Sequence, residues 1–136
     1  MDQSIFRAYD IRGKYPSQIN AETVREVMPT IVKALAMPPK SPKTVVLGHD
    51  ARLSSPELYE ACIEALGKEK GVRVMQAGLI TTPMLYFLVN KHKAAGGMVV
   101  TASHNPKEYN GLKMVRAGAI PVSGKDVLAR MPKNGK

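Results

Sequence analysis

The stretch Thr44-Val45-Val46-Leu47-Gly48, which runs directly into His49-Asp50-Ala51-Arg52-Leu53-Ser54-Ser55-Pro56, decides the fold. A short β-branched apolar run closed by glycine reads as a buried strand. Ser54 and Glu57 stand at capping-box spacing and Pro56 suits a first helical turn, so a helix starts at once. That helix carries Leu58, Ala61, Cys62, Ala65 and Leu66 at helical spacing and stops near Gly67 or Gly71. The pattern then recurs. Val72-Arg73-Val74-Met75 is a second strand, Gly78 to Thr82 a loop, and Pro83 opens a helix with Met84, Leu85, Phe87 and Leu88. Met98-Val99-Val100-Thr101 is a third strand. Strand–helix–strand units of about thirty residues are βαβ crossovers. The expected fold class is α/β: a three-layer α/β/α arrangement with a mixed, mostly parallel sheet.

The flanking segments extend this plan. Phe6 to Ile11 is a short mixed segment ending in Arg12-Gly13. Ala21 to Ala36 reads as a helix, with Val24, Val27, Met28, Ile31, Val32 and Leu35 on one face and Asn20 as N-cap. Pro29 lies inside it and is expected to kink or split it. Leu112 to Val115 and Ala119 to Val122 read as a hairpin turning at Ala117-Gly118. The tail from Lys125 has helical spacing at Val127, Leu128 and Met131 and ends in Lys133-Asn134-Gly135-Lys136, a solvated, frayed end.

The 136 residues are 44% hydrophobic and 23% charged, which excludes a disordered or fibrous chain and fits a single domain, residues 1–136. Lys plus Arg number 20 against 11 Asp plus Glu, a formal charge of +9, so an anionic partner is expected. The lone cysteine, Cys62, excludes an intrachain disulfide, and its place on the apolar side of a helix marks it as core. The N-terminus has no signal-peptide pattern and no apolar run approaches a membrane span, so a cytoplasmic chain with no membrane partner is expected. A nucleic-acid partner is not expected: the chain has no zinc or helix-turn-helix pattern, and aromatics are 5%.

Open α/β sheets collect ligands at the carboxyl ends of their strands. Three loops leave such ends here: His49 to Ser55, Gly78 to Thr82, and Ser103 to Asn110. The richest is Thr101-Ala102-Ser103-His104-Asn105-Pro106-Lys107-Glu108-Tyr109-Asn110-Gly111. Serine needs a base or a cation to become a nucleophile, and adjacent side chains such as Ser103 and His104 often point apart. The Gly-x-Ser-x-Gly elbow, the Gly-x-Gly-x-x-Gly fingerprint and the Walker A loop are all absent from the sequence.

Three segments carry a resemblance. They are Phe6-Arg7-Ala8-Tyr9-Asp10-Ile11-Arg12-Gly13, then Gly48-His49-Asp50-Ala51-Arg52-Leu53-Ser54-Ser55, then Thr101 to Pro106 followed by Tyr109-Asn110-Gly111-Leu112-Lys113. Together they resemble the N-terminal α/β/α domain of bacterial phosphomannomutase/phosphoglucomutase, in the α-D-phosphohexomutase superfamily. The resemblance spans essentially the whole chain. It implies an isomerase-class intramolecular phosphotransferase, which interconverts hexose 1- and 6-phosphates through a 1,6-bisphosphate. By it, Ser103 is the phosphorylated nucleophile, and its phosphate oxygen is one ligand of Mg²⁺. His104 and Asn105 orient that phosphate. Arg12 and Lys113 lie beside the reacting oxygen, and Tyr9 lines the substrate cleft. The implied partners are mannose or glucose phosphates, with a hexose 1,6-bisphosphate as activator.

Phosphoryl transfer asks for positioning and charge neutralisation, which suits the basic composition. His49 stands where the family usually has arginine, a departure that bears on any structural ion pair made there and not on the serine chemistry. The family's Asp-Gly-Asp-x-Asp-Arg metal loop is absent, as are its sugar-selecting and terminal phosphate-binding loops. The expectation is a domain cut from a four-domain mutase, with little turnover alone. The alternative is a non-catalytic module that binds phosphosugars or nucleic acid. Arg52 is expected to brace the loop before the helix, and Asp50 to cap backbone amides in that loop.

Overall fold

In a computed structural model describing residues 1–39 and 42–133, the strands are β1 (Ile11–Lys14), β2 (Lys43–His49), β3 (Val72–Leu79), β4 (Gly96–Val100), β5 (Tyr109–Arg116) and β6 (Ile120–Val122). The helices are α1 (Ala21–Ala34), α2 (Ser55–Gly67), α3 (Thr82–Lys91) and α4 (Gly124–Arg130), with short 3-10 turns at Gln3–Ile5 and Ala117–Ala119. The strands form one sheet in the order β1-β5-β4-β2-β3, with β6 also pairing with β5.

The three-layer, mixed α/β architecture is as expected, but the parallel share is smaller. β2 runs parallel to β3 and β4, whereas β4–β5, β5–β1 and β5–β6 are antiparallel. A parallel pair needs a crossover connection, and after β4 the chain returns through loops and turns alone. The crossover β2–α2–β3 moves outward from β2, and β3–α3–β4 moves back past it. Right-handed crossovers in opposite directions put their helices on opposite faces. Accordingly Val45, Leu47, Met98, Val100, Leu112 and Met114 pack with residues of α1, α2 and α4. Val46, Val99 and Val115 meet Leu85 and Val89 of α3 on the other face.

Several local expectations change. Asn20 caps α1 as expected, accepting from the Thr23 N–H at 2.9 Å. Pro29 does not split α1, which runs unbroken from Ala21 to Ala34. Its ring is on the exposed side, where water can take the carbonyl freed one turn back. The Ser54 capping box does not form. Ser54 has helical rather than extended backbone angles, so its hydroxyl cannot reach the first-turn amides; it accepts instead from Asn110 Nδ2 at 2.8 Å. A full capping box closes α4, between Ser123 and Asp126. β3 extends beyond Met75 to Leu79 and takes in Gly78, with a register shift against β2 between Leu47 and Gly48. The terminal hairpin and tail helix are present; Asn134, Gly135 and Lys136 lie outside the described residues. Among the described residues no helix is long and apolar enough to cross a membrane.

Two buried positions generate predictions. Cys62 is fully buried, and burial pushes its thiol up to about 12. It is expected to resist a water-soluble thiol reagent at pH 8 in the native chain and to react fully in denaturant, read by absorbance of the released chromophore. At Gly111, opposite Arg12, a methyl group would lie 1.9 Å from the Ile11 carbonyl oxygen. Gly111→Ala forces β1 and β5 apart and is expected to cost about 3 kcal/mol of stability, measured by urea unfolding.

Candidate active site

The β2 and β4 strands end side by side, and their loops are tied at the root: the Asp50 N–H donates to the Val100 carbonyl at 2.9 Å. This is the crevice where α/β sheets gather ligands, at the point where the chain reverses direction across the sheet. Two residues beyond Thr101, Ser103 is exposed and has a left-handed backbone, φ 54°. Such a conformation is uncommon for a residue with a Cβ and persists when its surroundings impose it. Here the Ser103 N–H donates to Thr101 Oγ1 at 3.0 Å, and the Asn105 N–H to the Ala102 carbonyl at 3.0 Å.

The Arg52 guanidinium reaches across from the other loop. It donates to the carbonyls of Ser103 (2.9 Å), Asn105 (2.8 Å), Pro106 (2.7 Å) and Tyr109 (3.2 Å). Asp50 accepts from Arg52 Nε at 3.3 Å, from the Arg52 N–H at 3.1 Å and from the Ser55 hydroxyl at 2.5 Å. Asn110, fully buried, donates from Nδ2 to the hydroxyls of both Ser54 and Ser55. Asp50 does cap an amide in its own loop, as expected, but the loop that Arg52 braces is the serine loop.

Arg12 is brought to the same place from β1. Its guanidinium donates to Asn105 Oδ1 and pairs with the buried Asp10 carboxylate. Its Nε–H is buried with no partner among the described residues. Arg12 pairs with Gly111 across the strands, so Lys113, two residues on, shares its face of the sheet. Ser103, Asn105, Arg52, Asp50 and Lys107 line one hollow of about 410 Å³. Lys113 and Tyr9 line a separate hollow of about 290 Å³ with Tyr86, Pro121 and Asp126. The structure therefore joins Ser103, Asn105 and Arg12, and leaves Lys113 and Tyr9 in a neighbouring depression. Tyr9 is 79% exposed, and His104 is exposed. A larger hollow, about 600 Å³, lies against α1, α4 and the N-terminal turn and holds none of these residues.

His49 packs edge-on against Tyr59, 4.6 Å between ring centroids, and its Nδ1 lies 2.8 Å from the Asp50 carbonyl. It belongs to the wall behind the loop. Among the described residues no three His, Cys, Asp or Glu side chains are grouped so that they could hold a metal ion. The carboxylates of Asp10 and Asp50 are each engaged by an arginine, Arg12 and Arg52 respectively. The residues present thus do not fit a complete cation cage.

Asn110, Ser55 and Asp10 stand in the sequence segments quoted for this site, but sequence reasoning gave none of them a role in it. A polar residue at a buried strand position was the available signal for Asn110. The backbone angles that turn Ser54 away from its helix had none.

A sequence profile of the phosphoglucomutase/phosphomannomutase α/β/α domain I matches residues 3–131. The chain is 46% identical over 118 residues to a protein named as phosphohexose mutases in Xanthomonas campestris, covering 87% of this chain and 25% of that one. It is 42% identical over 119 residues to a phosphomannomutase of Escherichia coli, covering 88% and 25% respectively. A crystal structure of a phosphoglucomutase/phosphomannomutase family protein from Burkholderia thailandensis superposes with a TM-score of 0.81 at 34% identity, over 96% of this chain and 30% of that one. The chain thus spans about a quarter of the length of the curated relatives it matches. In sequence and in three dimensions alike, it belongs to the α/β/α domain I family of phosphoglucomutase/phosphomannomutase.

Proposed function

We propose that this chain is the phosphoserine domain of a phosphohexomutase that interconverts hexose 1-phosphates and 6-phosphates. The observation that carries this is the exposed hydroxyl of Ser103 at a strand exit, on a loop held in a left-handed turn by cross-loop hydrogen bonds and contacted by Arg12 through Asn105. In the forward step a sugar hydroxyl oxygen attacks the phosphorus on Ser103. The bond from Oγ to phosphorus breaks, a 1,6-bisphosphate forms, and the proton lost by the sugar ends on the enzyme. In the return step Oγ attacks the other phosphorus, the bond from that phosphorus to the sugar oxygen breaks, the sugar oxygen takes the proton back from the enzyme, and the second monophosphate leaves.

Ser103 is the nucleophile and carrier in this scheme. Arg12 neutralises charge on the transferring group, and its unpaired Nε–H is a donor that an oxyanion nearby would satisfy. Asn105, held by Arg12, and His104 orient the phosphate. Lys113 and Tyr9 serve the sugar side of the cleft, Lys113 also in proton transfer. The relatives named as phosphomannomutase and phosphohexose mutase support a hexose phosphate substrate, mannose or glucose. A magnesium ion, when bound, would neutralise charge on the phosphoryl group. From this chain it would receive an oxygen on phosphorylated Ser103, its other ligands coming from the three-quarters of the relatives' length that lies outside the match. A hexose 1,6-bisphosphate is the activator that loads Ser103, and a reducing, cytoplasmic setting suits the single thiol.

Incubation of the chain with glucose or mannose 1,6-bisphosphate is expected to add one phosphoryl group, located by peptide mass spectrometry on Ser103, and Ser103→Ala is expected to add none. Failure of the chain to take up phosphate, even with the remaining domains of a relative supplied in trans, overturns the proposal. Arg12→Ala is expected to slow uptake by about a hundredfold, followed by intact mass over time. Measurable interconversion of hexose phosphates is expected only when those remaining domains are present.

A further inference from the structure

We infer that Arg52 is a positioning residue for phosphoryl transfer at Ser103, acting solely through the backbone of the serine loop. The inference rests on the reading of Ser103 as the phosphoryl carrier and assigns a role to a side chain on a different loop.

The count of donors decides the role. A guanidinium has five N–H groups and no acceptor. In Arg52 all five have partners: Nε on Asp50, one terminal nitrogen on the Pro106 and Tyr109 carbonyls, the other on those of Ser103 and Asn105. No N–H remains for a substrate phosphate. Arg52 differs in this from Arg12, which keeps an unpaired donor. The four carbonyls belong to the loop that begins at Ser103 and ends where β5 begins. Without the cation they would converge on one point with like dipoles, which is unfavourable unless a cation lies between them.

The arrangement constrains Ser103 itself. Its carbonyl accepts from Arg52 while its N–H donates to Thr101, so both peptide groups around the left-handed residue are fixed. With the backbone fixed, the direction of Oγ is confined to the rotamers of one bond. Asp50 holds the guanidinium from behind, and Ser55 holds Asp50 at the start of α2, so the clamp is anchored to regular structure. A lysine has the same charge but three donors on a single nitrogen and no planar fork, so it cannot span four carbonyls and a carboxylate.

In the assay the Ser103 hydroxyl oxygen attacks a phosphorus of hexose 1,6-bisphosphate, the bond to the sugar oxygen breaks, and the hydroxyl proton ends on the released sugar. The rate of this uptake is measured against bisphosphate concentration for the chain, for Arg52→Lys and for Arg52→Ala. Hydrogen exchange of the Ser103 and Asn105 amides is followed by NMR on the same samples. Arg52→Lys is expected to lower the maximal rate by about a hundredfold, with the half-saturating concentration within about twofold of the parent and the loop amides exchanging faster. Millimolar guanidinium, but not methylammonium, is expected to restore part of the rate of Arg52→Ala. A lysine variant with the parent's rate and exchange overturns the inference. So does one whose half-saturating concentration rises while its maximal rate holds, because that outcome makes Arg52 a substrate ligand. If the parent chain takes up no phosphoryl group even with the remaining domains of a relative supplied in trans, the proposed function fails by itself. The exchange rates then still decide whether Arg52 holds the loop: faster in the lysine variant supports the clamp, unchanged overturns it.

Discussion

Four carbonyl oxygens of one loop converge on the guanidinium of another, and a carboxylate closes the ring behind it. Loops at strand ends ordinarily carry few contacts of their own, since they run over the surface and leave their backbone groups to water. Here four carbonyls of the serine loop are satisfied by a side chain of the neighbouring loop. Arg52 and Asp50 stand on the β2 side, Ser103 to Tyr109 on the β4 side, and the sheet brings the two strand ends to adjacent positions. The clamp converts that adjacency into a fixed conformation of the backbone around Ser103.

The antiparallel half of the sheet adds the second component. After β4 the chain turns back as β5, and β1 pairs along its outer edge, which sets Arg12 beside the serine loop although 91 residues separate it from Ser103 in sequence. The Asp10 carboxylate and the Asn105 amide oxygen then share its guanidinium. Gly111 permits the close backbone approach on which this depends, since a side chain there would collide with the Ile11 carbonyl. On the same face α3 packs against the parallel strands, and the stretch beyond it carries Arg12 and Lys113. A small number of cations at defined positions is what phosphoryl transfer needs from a protein.

Much of this plan was legible in the order of residues. Val45, Val46 and Leu47 announce a strand buried on both faces, and Val24 to Leu35 a helix with one buried face, because hydrophobic period follows directly from backbone geometry. Asn20 and Pro83 mark helix starts through local chemistry that needs no partner. Ser54 misled, because a capping box depends on backbone angles as well as spacing, and Asn110 takes its hydroxyl. Pro29 misled in the other direction: the cost of a proline in a helix depends on which side of the helix faces water. The mostly parallel expectation counted crossovers correctly and underweighted the three pairings that follow them.

The candidate site divides along the same line. Ser103, Arg12, Asn105 and Lys113 stood out because three short segments of side chains in a distinctive order bore the resemblance to a phosphohexomutase domain. What those segments could not reveal was that Arg52 faces the serine loop, that its every donor is engaged, or that Lys113 and Tyr9 occupy a hollow apart from Ser103. Local order determines propensity, periodicity and the chemical identity of each group, since these depend on neighbours along the chain. The partners of a buried or bridging polar group depend on which strands lie side by side, and that only the folded sheet decides.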